Sequence, residues 1–178
     1  MPTPSPATST GTKAQALRFA AATALMAVLA ACGTTNEPRP HPEQTTVSQQ
    51  LLILVNQVRA SGKQCGDTWM PSVGPLRVES RLVMAAAAHS QDMFEMGKLT
   101  HTGSDGSNPG QRIARTGYEY TTWGENAAWG YQTVEHVMSG WLGSPGHCRN
   151  LMNHRFTEFG AGKVGTFWTQ VFANPKTP

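Results

Sequence analysis

Charged side chains are scarce in this chain. Asp, Glu, Lys and Arg make up 14% of its 178 residues, and the formal net charge is only +3. Lys and Arg cluster nowhere, which excludes the basic footprint of a nucleic-acid binder. No internal repeat is present, so repeat architectures fall away. The phosphate-binding glycine loop, the dinucleotide fingerprint and the HExxH metal pair are missing as well. No apolar run reaches the roughly 20 residues that a membrane-spanning helix needs. Cysteine is sparse too: there are three, an odd number that leaves one without a partner in a secreted domain. What remains is a chain of one-domain length, able to bury roughly 68–70% of its unfolded surface without a metal staple.

The longest uncharged stretch lies near the start. Lys13 and Arg18 precede Phe19 to Ala31, thirteen residues without a charge. That length and that basic flank suit the hydrophobic region of a signal peptide. The stretch ends in Leu29-Ala30-Ala31-Cys32, which resembles the bacterial lipobox, where the cysteine is lipidated and the chain is cut before it. Residues 1–31 are therefore expected to be a lipoprotein signal and Cys32 a membrane anchor. Gly33 stands where an aspartate is associated with inner-membrane retention, which favours an outer membrane where one exists. Cleavage removes two basic residues and no acid, so 12 basic residues face 11 acidic ones and the mature charge is +1. The positive balance belonged to the signal. The segment GTTNEPRPHPEQTT that follows is polar, with Pro38, Pro40 and Pro42 at alternate positions, and cannot build a core. Residues 32–47 are read as a flexible tether, whose fourteen residues from Gly33 to Thr46 reach about 40 Å, and His41 within it as a solvated side chain.

From residue 48 the pattern is that of a folded domain. Leu51, Leu54, Val55 and Val58 repeat at helical spacing, with Ser48 placed to cap the helix and Gly62 to end it. Cys65 falls in the loop that follows. A second helix carries Leu82, Ala86, His89, Met93 and Met96 on one face, starts at Glu79 or Ser80 and stops at Gly97. His89 on that face is read as a hydrogen-bonded core residue. Residues 103–110 are rich in turn formers, Gln111 to Arg115 suit a short helix, and Trp123 to Trp129 suit a strand or an ordered loop. A third helix is expected from Thr133 to Trp141, and Pro145 after Ser144 opens another helical turn. Two strands around Gly165, FTEFGAGKV and TFWTQVFA, close the chain. Helices first and a hairpin last favour an α+β fold with antiparallel strands. Residues 175–178 are left as a tail.

Three short blocks set a titratable residue among small ones: LTHTGSDG around His101, WGENAAWG around Glu125 and SPGHCRNLMN around His147. Together with AAAAHSQDM, GQRIARTGY and WTQVFA, in that order, they resemble the bacterial branch of the CAP superfamily, also called the SCP domain. The superfamily is named for cysteine-rich secretory proteins, antigen 5 and pathogenesis-related 1 proteins. The resemblance covers about residues 48–174. It implies an α-β-α sandwich with a small central antiparallel sheet and a cleft built from two histidines and two acids. His101, Glu125 and His147 match three of the four. At the place of the second acid, after Trp141, stands Ser144, and Glu135 is the nearest remaining acid in sequence.

Two imidazoles and a carboxylate can hold a divalent metal such as zinc with a position open to water. Metal-free, the same groups can share protons and bind a polar ligand, or knit loops together as a structural network. No Ser-His-Asp arrangement can be read around Ser90 or Ser144. With Cys32 assigned to the anchor, Cys65 and Cys148 remain in an exported context, and bacterial members of the family often carry this pair as a disulfide; two buried free thiols are the alternative. The five tryptophans are mostly core, with Trp123 or Trp129 placed to line a cleft, while Asn126 and Asn150 are expected to satisfy loop backbone. The expectation is an envelope-located, lipid-anchored, monomeric binding module for a lipid, peptide or protein, needing no cofactor. A metal-assisted hydrolase of peptide or cell-wall substrate is the alternative.

Overall fold

The computed structural model describes residues 39–177. The signal segment 1–31, Cys32 and the first part of the tether lie outside the described residues. Helix α1 spans Pro42–Ser61, the β1–β2 hairpin Lys63–Cys65 and Thr68–Met70, and strand β3 Arg77–Val78. Helices α2 (Ser80–Met96) and α3 (Pro109–Arg115) follow, then strand β4 (Tyr120–Trp129), helices α4 (Val134–Gly143) and α5 (Pro145–Leu151), and strands β5 (Glu158–Val164) and β6 (Phe167–Pro175).

The main sheet has the order β3-β5-β6-β4. Its long pairs, β4 with β6 and β5 with β6, are antiparallel, and the short β3 adds a parallel pair at Arg77 and Val78. Alternation along β6 sends its side chains to two cores. Trp168 and Phe172 join Leu51 and Val55 of α1, Val137 and Trp141 of α4 and Leu151 of α5 on one face. Val171 and Ala173 meet Leu82, Ala85 and Ala86 of α2 and Ile113 of α3 on the other. The result is the expected α-β-α sandwich.

Small residues set how closely α2 can approach. A Cβ on Gly162 of β5 would stand 2.5 Å from the Ala87 backbone, so the Gly-Ala-Gly run of β5 and the alanine run of α2 are one steric solution. The helix ends where the sequence predicts. Gly97 adopts φ 61°, and the N–H groups of Gly97 and Lys98 return to Phe94 and Met93 oxygens as a Schellman cap. Asn108 and Gln111 close a capping box at 2.9 Å in both directions, which adds Pro109 and Gly110 to the short helix read from Gln111.

The first helix departs from expectation. It begins at Pro42, six residues before Ser48, and residues 42–47 of the supposed tether form its opening turns. Pro42 suits a first helical position, where its missing N–H is not needed. The helix is extended because it covers a sheet edge. β3 pairs only with Glu158 and Phe159, so among the described residues β5 beyond them has no strand on its outer side. Ser48 Oγ accepts from Ala161 N–H at 2.9 Å and donates to its oxygen at 2.7 Å. Gln44 does the same for Lys163, at 2.7 and 2.8 Å. Four helical residues rise about 6 Å and two strand residues about 6.6 Å, so the two spacings match. Ser48 is thus buried inside the helix and not at its cap.

Arg59 was not singled out by the sequence reading, and it is 1% exposed. Its guanidinium donates to Gly74 O (2.8 Å), Leu151 O (2.8 Å), Asn153 O (3.1 Å) and Phe156 O (3.1 Å), tying α1 to the end of α5. Burial lowers its pKa to about 10, which leaves it a cation at neutral pH. Cys65 of β1 and Cys148 of α5, 83 positions apart, form the expected disulfide. It fastens the hairpin to the helix that carries His147.

Candidate functional site

Glu125 lies in β4 opposite Val171, on the α2 face of the sheet, with its side chain 2% exposed. A carboxylate so placed needs partners, and three elements supply them. Arg112 of α3 donates to Oε2 at 2.7 Å, and its other terminal nitrogen donates to Ser107 O at 2.9 Å. His101, in the loop after α2, places Nδ1 2.8 Å from Oε1. His89 of α2 lies behind, its Nε2 3.7 Å from the same oxygen. Since a carboxylate only accepts, Nδ1 of His101 carries the proton and its Nε2 is left for the cleft. The His101 side chain is 56% exposed, so the outer half of the ring meets solvent.

His147 reaches the site from α5 and is half-buried. Its backbone is fixed from β4, where the Asn126 amide donates to His147 O at 3.2 Å. Asn150 of α5 donates back, to Glu125 O at 3.1 Å and Asn126 Oδ1 at 2.9 Å. Both asparagines thus satisfy backbone, as the sequence suggests. The histidines are set apart electrostatically. The hydrogen bond to Glu125 raises the pKa of His101. Burial lowers that of His147, and the neighbouring His101 lowers it further. Burial also lowers that of His89, which is fully buried and donates Nε2–H to Thr100 O at 2.8 Å, a core role as expected.

The structure brings His101 and Glu125 into contact and His147 within electrostatic reach, but not as a three-ligand metal centre. Among the described residues, no group of three His, Cys, Asp or Glu side chains is placed to hold a metal ion. The physical reason lies in Glu125, whose two oxygens are committed to Arg112 and His101. Its charge is thereby matched by a buried guanidinium. The donor set does not fit zinc bound by His101, Glu125 and His147 together. Glu135 is exposed on α4 and lines a cavity of about 460 Å³ with Lys63, Leu54 and Met138, away from Glu125. Ser90 is buried and bonded to Gly162 O and Thr169 Oγ1, which makes it part of the packing. Trp123 and Trp129, at 37% and 57% exposure, bracket Glu125 along β4. Arg112 is the site residue that sequence reasoning passed over, since the GQRIARTGY block reads as packing.

A buried Glu-Arg pair that orients one of two neighbouring histidines, with a disulfide beside the second, defines a CAP-type cleft. The chain belongs to the cysteine-rich secretory protein (CAP) family, whose model matches residues 52–172. It is 38% identical over 100 residues to the uncharacterized protein YkwD of Bacillus subtilis strain 168, and 28% identical over 129 residues to the uncharacterized membrane protein YlbC of the same strain. These matches take in 55% and 72% of this chain but only 39% and 35% of those relatives' length. Among solved structures it resembles an extracellular SCP-domain protein of Bacillus anthracis strain Ames, with a TM-score of 0.66 and 26% identity over 77% of this chain and 45% of that one. An outer surface protein of Borrelia burgdorferi shares the fold, with a TM-score of 0.60 and 20% identity over 79% of this chain and 99% of that one. No helix among the described residues is long and apolar enough to cross a membrane.

Proposed function

We propose that the chain is a lipid-anchored binding module of the bacterial cell envelope, held by Cys32 and using the cleft of His101, Glu125 and His147 to bind a small polar ligand. The observation that supports this reading is the condition of Glu125. A carboxylate with one oxygen on Arg112 and the other on His101 is a positioning group, and it is not free to act as a base or a nucleophile. It fixes one ring so that Nε2 faces outward. The two rings have pKa values pushed to opposite sides of the ordinary imidazole value, so His101 is the readier donor of the two and His147 the readier acceptor. A ligand with a carboxylate or carbonyl beside a hydroxyl or amide donor fits that pair, as peptides and amino sugars do. The extracellular relative of known structure supports the exported location.

The test is a ligand titration followed by the imidazole resonances, using peptidoglycan fragments and short peptides. Saturable shifts at both His101 and His147, lost in His101→Ala, are the expected result. Turnover of either substrate class that His101→Ala and His147→Ala both abolish overturns the binding-module reading in favour of hydrolysis.

A further inference from the structure

Two exposed aromatic side chains lie together at one end of the sheet. Phe94, on the last turn of α2, is 50% exposed, and Trp129, the last residue of β4, is 57% exposed. Both meet Phe167, the first residue of β6: the Trp129 ring stacks on it with centroids 5.7 Å apart, and Phe94 stands edge-on at 6.4 Å. Leu99, two residues past the Gly97 cap, is also exposed. This is the end where β5 turns into β6. A Cβ on Gly165 would lie 3.1 Å from the Phe94 ring, and Gly130 N–H donates to Thr166 O at 3.0 Å.

The chain enters the domain at the same end. Gln44, in the first turn of α1, is bonded in both directions to the backbone of Lys163, two residues from Gly165. With Cys32 lipidated, eight residues, 33–40, separate the anchor from His41 at the start of α1. The nine Cα–Cα steps from Cys32 to His41 span at most about 30 Å, so the anchor holds this end of the domain within that distance of the bilayer. Lys98 and Lys163 are balanced by Glu43 and Glu95 among the sequence neighbours of these residues. Apolar contact therefore outweighs phosphate attraction in choosing the face. Indole and phenyl rings on a partly polar rim suit the boundary between headgroups and acyl chains.

The geometry points to Phe94, Leu99 and Trp129 as a membrane-resting edge, laid against lipid headgroups when the chain is anchored. This rests on the lipid-anchor reading above and adds an orientation to it. Glu125 lies four residues before Trp129 on β4, about 13 Å along the strand, so the cleft opens close to the bilayer surface and meets its ligand there.

Trp69 supplies an internal reference, since it is 61% exposed on the β1–β2 hairpin against 57% for Trp129. The lipoprotein isolated from membranes is reconstituted in vesicles of phosphatidylethanolamine and phosphatidylglycerol and oxidised with hydroxyl radicals. We expect oxidation of Trp129 to fall several-fold relative to Trp69, and to return in a Phe94→Ser, Leu99→Ser variant. Equal oxidation of the two tryptophans overturns the edge. Trp129 protection that scales with protein-to-lipid ratio reveals a second protein on the patch and also overturns it. The mass of the Cys32 peptide reports on the anchor separately. Where it shows no lipid, the anchor reading fails, and the footprint is read on chain coupled through the Cys32 thiol to a maleimide phospholipid. Protection of Trp129 there sustains the edge, and equal oxidation refutes it.

Discussion

Arg59 makes a strong prediction because no carboxylate among the described residues accounts for its burial. The residue is 1% exposed and its guanidinium spends four donors on four backbone oxygens. Arg59→Met keeps much of the volume and removes every donor. The Leu151 and Phe156 oxygens are fully buried, while those of Gly74 and Asn153 are partly so. A buried polar group left unpaired costs about 1–3 kcal/mol. Two such groups give roughly 2–6 kcal/mol, with a central value of about 4, and the relief of no longer burying a cation offsets part of it. For a domain of this size that is about a 10 °C fall in Tm. The assay is urea and thermal unfolding at pH 7 with the disulfide intact, for wild type, Arg59→Met and Arg59→Lys. The lysine variant is expected to fall between the other two, because an ammonium has three donors and no planar fork. A loss below about 1 kcal/mol in Arg59→Met would show that the carbonyls find water or each other, and the clamp argument would fail.

Replacing Cys65 and Cys148 together by serine opens a loop set by their 83-residue separation. By the chain-entropy account this costs about 4–5 kcal/mol, read as an equal shift of the denaturant midpoint on reduction of the wild type. Arg112→Met leaves the Glu125 carboxylate buried without its cation, and removing one partner of a buried pair costs about 3–5 kcal/mol. Glu125→Gln in the same background recovers much of that loss, and a double-mutant cycle measures how much. Titration of the imidazole resonances should place His101 above the free-histidine value and His147 below it, with Glu125→Gln bringing His101 down. For stability the signs oppose. The raised His101 contributes below the unfolded pKa, and its share is lost as pH climbs through the folded pKa. The lowered His147 and His89 withdraw stability as pH falls through the unfolded value near 6.5, because the unfolded chain takes protons first.

What could be read in the sequence had a period or a cap behind it. The face of α2 from Leu82 to Met93 and its Gly97 stop are both legible, as is the β5–β6 pair around Gly165. The β1–β2 hairpin and β3 escaped because strands of two or three residues carry no alternation to detect. The start of α1 escaped because alternate prolines look like extended chain, while Gln44 and Ser48 bond to a strand more than a hundred residues away. Arg59 did leave a trace, since it follows Leu51 and Val55 at helical spacing on the buried face. Arg112 left none: a seven-residue helix is too short to show a face. His101, Glu125 and His147 were legible as blocks. Their division of labour was not, because it depends on which oxygen of Glu125 each neighbour takes.

The pairing of α1 with the outer edge of β5 also fixes where the domain can be cut. Protein shortened to begin at Val47 would lack Gln44, so the N–H and C=O of Lys163 would be unpaired and directed outward. An open strand edge is a template for another strand. Chains trimmed there should pair edge to edge through β5 and associate with rising concentration in sedimentation, whereas chains beginning at Arg39 should not. The first two turns of α1 therefore serve as a guard against self-association, a duty independent of the cleft.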